Sequence, residues 1–246
     1  MQPEKKQLEV LIMDYFKESY NDFPKGKIIP TESPDFTISM KNYHVLGIEL
    51  TRLNPENADS PDDLALLEIG FREQIIERAK MIFEKDLPFK LFVKFLFSDE
   101  KKITSERELI VSVKLADLIR KSVHLKKGNS FFRISLSKKD LPDGVDEILI
   151  VNHPGMESSI WERSNNLGVS NDVVDDIRKS IHKKDEKLRL YQKNHLNYYW
   201  LLITTDRLRG VKNFNLPNKI MNHKFESRFQ HVFLFDLLKS NIYQLI

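Results

Sequence analysis

The chain has 246 residues, of which 41% are hydrophobic, 30% charged and 10% aromatic, and its formal net charge is +3. This is a globular composition, too rich in Phe, Leu, Ile and Val for a disordered chain. Cysteine is absent, which excludes a disulfide framework, thiolate zinc sites and a cysteine nucleophile and fits a reducing cytoplasm, the expected location.

Residues 5–20 predict a helix, with Leu8, Ile12, Tyr15, Phe16 and Ser19 on one face. Residues 22–34 are expected to form a loop because Pro24, Gly26 and Pro30 interrupt them. Two strands follow, 36–40 and 45–51, around the polar turn Lys41-Asn42-Tyr43-His44. A loop at 54–62 leads into a helix at 62–85, opened by Asp62 and Asp63. The aromatic run 89–97 predicts a strand. Residues 106–123 mix a strand start with a helix ending near His124. Short strands are expected at 131–136 and 147–151, then an irregular stretch, 152–170, around Trp161. The clearest helix is 171–193. Strands at 198–204 and 231–235 follow, with a last edge strand at 242–246. The mixture is α/β or α+β, arranged as one domain with a large insertion at about 54–170.

Several chemistries lose their usual support. There are only 8 glycines and none are spaced G-x-G, so the dinucleotide fingerprint is missing. The G-x-x-x-x-G-K-S/T phosphate loop, the G-x-S-x-G elbow and the H-E-x-x-H zinc helix are also missing. No apolar run reaches the roughly 18 residues of a membrane span, so no membrane association is expected, and the polar opening Met1–Lys6 does not resemble a signal peptide. A charge of +3 neither demands nor forbids nucleic acid. An electrostatic case has to rest on local clusters.

Two acids stand out. Asp35 opens the first strand of the 36–51 hairpin and Glu49 lies near the end of the second. Pairing around 41–44 would bring them to one end of the hairpin. Glu49 and Thr51 then share a face while Ile48 and Leu50 point into a core. Two converging carboxylates suit a hard cation such as Mg²⁺, which takes oxygen ligands and keeps several waters. The alternative is a surface hairpin carrying two unrelated acids.

A lysine stands out as well. At about 100° per residue, Ile177, Ile181, Leu188 and Tyr191 form one stripe of helix 171–193, and Lys184 falls in its middle. Lys183 and Lys187 lie further round. A lysine on a core face must snorkel, pair with an acid or line a cleft. It could reach Asp35 and Glu49. It could also belong to a general charge gradient, with Asp172, Asp175 and Asp176 early and Lys183, Lys184, Lys187, Arg189 and Lys193 late along the helix, complementing its dipole.

The run Glu32-Ser33-Pro34-Asp35-Phe36, followed by Gly47-Ile48-Glu49-Leu50-Thr51, resembles the PD-(D/E)xK nuclease superfamily. Ile181-x-x-Lys184-x-x-Lys187-x-x-x-Tyr191, with Tyr199-Trp200-Leu201-Leu202-Ile203 after it, resembles a helix–strand pair of bacterial members of unassigned function. The likeness covers roughly 5–53 and 171–205. It implies a restriction-endonuclease-like α-β-β-β-α-β core and an acid on the first helix, here Glu9, seven residues before Phe16. Glu18 and Glu32 are weaker candidates for that acid. The sequence departs from the family at Thr51, where E-x-K would have a lysine. Lys184 could supply the missing cation from the following helix. Lys187, Lys80 and Arg52 are weaker substitutes, Lys80 on the premise that helix 62–85 is the core helix.

The resemblance thus implies a Mg²⁺- or Mn²⁺-dependent nuclease acting on nucleic acid, DNA in the first place, with Asp35 and Glu49 on the metal and Lys184 and Glu9 assisting. The alternative is a catalytically degenerate member that binds nucleic acid or protein. Tyr191, Trp161 and Trp200 are expected in the core or at its edge. Lys101-Lys102, Lys126-Lys127, Lys138-Lys139 and Arg207/Arg209 are solvated clusters or a phosphate track. The seven histidines show no metal-ligand spacing, and His153 is the least certain of them.

Overall fold

Helix α1 (Pro3–Ser19) is followed by three strands, β1 (Gly26–Pro30), β2 (Phe36–Met40) and β3 (Val45–Arg52). Next come α2 (Asp63–Asp86), β4 (Leu91–Phe97), α3 (Glu108–Val123), β5 (Phe132–Ser137), β6 (Val145–Asn152) and β7 (Ile160–Arg163). The chain ends with α4 (Val173–Tyr191), β8 (Tyr198–Thr205), α5 (Leu216–Met221), β9 (His231–Asp236) and β10 (Asn241–Gln244). This computed structural model describes residues 3–53, 63–87, 89–98, 100–126, 130–164, 172–191, 196–206 and 216–246. The class is mixed α and β with two sheets, and no described helix is long and apolar enough to cross a membrane.

The chain divides into two compact units. One is Met1–Leu11 with Pro61–Asn165, and the other is Ile12–Ser60 with Asn166–Ile246. The stretch expected as an insertion at 54–170 thus supplies most of a unit with its own sheet, of order β5-β6-β4-β7. Ile75, Ile76, Ala79 and Phe83 of α2 and Val111, Leu115, Ala116 and Ile119 of α3 form a core with Val93, Phe95, Ile148 and Ile150. Trp161 packs on that core, with ring centroids 5.4 Å from Phe83 and 5.7 Å from Phe95. It lies in β7, parallel to β4, where the sequence suggested irregular chain. Residues 108–123 are helix without a strand start, preceded by a single 3₁₀ turn at 105–107.

The other unit holds the six-stranded sheet β1-β2-β3-β8-β9-β10. β1, β2 and β3 form an antiparallel meander. β3, β8 and β9 run parallel, and β10 returns antiparallel. β1 falls inside the expected loop at 22–34. Pro30 ends it on the outer edge, where a missing N–H costs no ladder bond. The two faces of the sheet have different cover. Phe16 of α1 packs against Phe233 and Phe235, with ring centroids 5.3 and 5.7 Å away, and Tyr15 donates to Leu237 O at 2.8 Å. Trp200 joins this aromatic face beside Phe233 at 5.2 Å. On the opposite face Ile177, Ile181 and Leu188 of α4, with Ile220 of α5, bury against Leu201, Ile203, Val232 and Leu234. Asp172 opens α4 by accepting Asp175 N–H at 3.3 Å, an N-cap bond.

Candidate functional site

The site grows from the hairpin register. Phe36 lies opposite Ile48 and Ile38 opposite Leu46, so one more step sets Asp35 across from Glu49. Alternation then buries Ile48 and Leu46 on the α1 face. Glu49 and Gly47 turn to the α4 face, in register with Leu201 and Tyr199.

Asp35 and Glu49 are both tied to Leu50. Its N–H donates to Asp35 Oδ2 at 2.7 Å. Lys184 Nζ donates to Glu49 Oε1 at 2.6 Å and to Leu50 O at 3.3 Å. Sequence reasoning could not have found Leu50, because only its backbone takes part. The Glu49 side chain is 7% exposed and that of Lys184 14%. The lysine does occupy the apolar stripe of α4, between buried Ile181 and Leu188. Its stem follows the stripe and its ammonium leaves it for Glu49, while Lys183 and Lys187 face solvent.

The approach to Asp35 is tightly built. Thr31 N–H donates to Asp35 O at 2.9 Å and the Thr31 hydroxyl donates to Pro34 O. A Cβ on Gly47 would lie 2.7 Å from Pro34 Cγ and 2.6 Å from Leu196 Cδ1. Glycine is needed there because the proline ring that leads into Asp35 takes the side-chain space.

Two carboxylates and one ammonium sum to one negative charge, which favours an added cation. The donors are hard oxygens, as Mg²⁺ or Mn²⁺ prefers. No group of three or more His, Asp or Glu that could hold a metal occurs among the described residues. A cation at Asp35 and Glu49 would therefore complete its shell largely with water, as Mg²⁺ commonly does.

The other candidates have settings of their own. Arg52 pairs with buried Asp206 at 2.7 Å. Lys80 lies on α2, which packs on the four-stranded sheet. Glu9 groups with the four-stranded unit. It sits 3.7 Å from Lys5 and 4.0 Å from Lys6, and its Oε2 is buried without a hydrogen bond among the described residues. Glu18 lies 4.0 Å from Lys17 at the surface, and Glu32 is exposed. Tyr191 closes α4, but its side chain, like Lys127, Arg207 and Arg209, lies outside the described residues. Three lysines of the basic clusters are paired: Lys101 with Asp143 at 2.9 Å, Lys102 with Glu68 at 2.7 Å and Lys138 with Asp146 at 3.2 Å. His153 accepts Gly155 N–H at 3.0 Å in a local turn.

Set against known proteins, the chain matches no family model, no curated protein and no solved structure.

Proposed function

We propose that the six-stranded unit is a metal-dependent phosphodiesterase of the PD-(D/E)xK kind, acting on nucleic acid and in the first place on DNA. The observation that carries this reading is the 2.6 Å contact of Lys184 with Glu49, on the strand paired with the one Asp35 opens. It joins residues 135 positions apart, so local sequence does not bring them together. The element order supports it too: α1, β1, β2 and β3, then α4 and β8, with β8 parallel to β3.

Asp35 and Glu49 would hold Mg²⁺ or Mn²⁺. When bound, such an ion polarises a phosphoryl oxygen and makes water a better nucleophile at neutral pH. The chain itself supplies orientation. Leu50 N–H fixes the Asp35 carboxylate, and α4 carries an ammonium where Thr51 cannot. Lys184, placed beforehand by α4, would meet the negative charge that builds on the phosphate.

The test is cleavage of DNA with and without Mg²⁺ by the full chain and by Asp35→Asn and Glu49→Gln, both near-isosteric. Mg²⁺-dependent cleavage by the parent, lost in both variants with unchanged thermal melts, is the expected outcome. Cleavage that survives in either variant removes the assignment. The second reading, a non-cleaving binder, draws on Thr51 and on Lys184 being engaged with Glu49. Oligonucleotide binding without turnover would favour it.

A further inference from the structure

Away from the acids, the same three-stranded meander carries an unusual tip. Met40 N–H donates to His44 O at 2.9 Å and Tyr43 N–H to Met40 O at 3.1 Å, leaving Lys41, Asn42 and Tyr43 as a three-residue loop. Such loops need a left-handed residue at their third position, and glycine is the usual choice. Here it is Tyr43, at φ 63°. It is 95% exposed. Backbone preference argues against tyrosine at this position, and packing does not account for it.

The charge around the tip is one-sided. Gly26 pairs with Met40 and Lys27 with Ser39, so Lys25 and Lys41 come next across from each other. Lys25, Lys27 and Lys41 are all exposed and none pairs with a described carboxylate. No acidic residue occurs in 23–31 or 36–48. Thr37 and Ser39, on the Asp35 face of β2, continue the polar surface toward the acids. Tyr198, 39% exposed, lies beside His44 with ring centroids 5.5 Å apart. From Asp35 to Ser39 the strand runs about 13 Å, at about 3.3 Å per residue.

We propose that this hairpin tip is a single-strand nucleic-acid contact, with a base stacked on Tyr43 and backbone phosphates on Lys25, Lys27 and Lys41. Stacking on an exposed ring tolerates any base, and lysines beside it add salt-dependent affinity. The inference rests on the nucleic-acid reading above but does not need the site to cleave.

The experiment is fluorescence anisotropy of a labelled single-stranded oligodeoxythymidine with the full chain, in EDTA, across a salt series. Tyr43→Gly should bind roughly tenfold more weakly while its melting temperature holds or rises, because glycine suits the left-handed position. Lys25→Gln/Lys27→Gln/Lys41→Gln should flatten the log–log salt slope by about two. Lys183→Gln/Lys187→Gln, equally exposed on α4, should change little. Parent-like binding by Tyr43→Gly, an unchanged slope in the triple variant, or an equal loss in the α4 control would each overturn the contact. Those outcomes leave the Asp35–Glu49–Lys184 assignment standing. A parent chain that binds no oligonucleotide would sink both this contact and the nucleic-acid reading.

Discussion

Each unit holds a lysine–glutamate pair at 2.6 Å, and the two are built in opposite ways. Lys94 is 1% exposed in the middle of β4 and meets Glu162, its direct neighbour in register on β7. That carboxylate is 31% exposed and keeps access to water. In the Lys184–Glu49 pair the carboxylate is the buried member, a second carboxylate stands across the strand, and the lysine arrives from a helix. A cross-strand pair of the first kind pins strand register. The second kind concentrates negative charge under cover, an expensive arrangement unless it is paired or holds a cation.

Removing each lysine should separate the two. Lys184→Met leaves Glu49 buried and unpaired beside Asp35, and should cost about 3 kcal/mol of stability. Lys94→Met leaves Glu162 able to hydrate and should cost about 1 kcal/mol. Mn²⁺ should restore much of the loss in Lys184→Met, since a ligand at a hundred times its Kd adds about 2.7 kcal/mol, and should do nothing for Lys94→Met. Thermal melts with and without Mn²⁺ read all four cases. If Mn²⁺ stabilises neither Lys184→Met nor the parent chain, the cation assignment fails and only a structural ion pair remains.

A smaller change acts on the same site from below. Gly47→Ala puts a methyl against Pro34 and Leu196 and should cost about 1–3 kcal/mol as overpacking. Because Pro34 leads into Asp35, the Mn²⁺-induced rise in melting temperature should shrink as well. Gly70, where an added Cβ meets nothing within 4 Å, is the control: Gly70→Ala should leave that rise unchanged. An undiminished Mn²⁺ shift in Gly47→Ala would mean that Asp35 does not depend on its proline for position.

Much of the six-stranded unit was legible because its signals are local. The turn at 41–44 set the hairpin register, and an apolar stripe of period 3.6 exposed Lys184 as out of place. β1 was hidden because Pro24, Gly26 and Pro30 are turn residues that an edge strand happens to tolerate. β7 was hidden by its length, four residues. Lys94 escaped notice for another reason. Every residue of β4 is buried, so no polar–apolar alternation marked the face on which it lies, and the register partner Glu162 comes 68 residues later. The insertion expected at about 54–170 lies close to Pro61–Asn165, but nothing in the amphipathic pattern of 5–20 marked Met1–Leu11 as grouping with it. Within the candidate site, the side chains were legible and the Leu50 backbone that organises them was not.

Glu68 extends the comparison to a surface pair and carries the smallest expected effect. Its carboxyl is held below the ordinary value of 4.5, first by the hydrogen bond from Lys102 and less by the charge of Arg72, against the opposing pull of burial. A carboxylate with a depressed folded pKa stabilises the fold above its unfolded pKa, and the contribution disappears as pH falls through the folded value. The Lys102 side chain is 72% exposed, so solvent screens the pair and Lys102→Gln should cost under about 1 kcal/mol at neutral pH. That difference from the parent should close in strong acid, where Glu68 is protonated in both chains. It should also shrink in high salt, because an exposed pair is screened there. The Lys184→Met deficit should persist in the same salt, since its carboxylate is buried. A Lys184→Met deficit that salt erases as readily as the Lys102→Gln one would mean that Glu49 is hydrated in solution, and the contrast between a covered acid pair and an ordinary surface bridge would be lost.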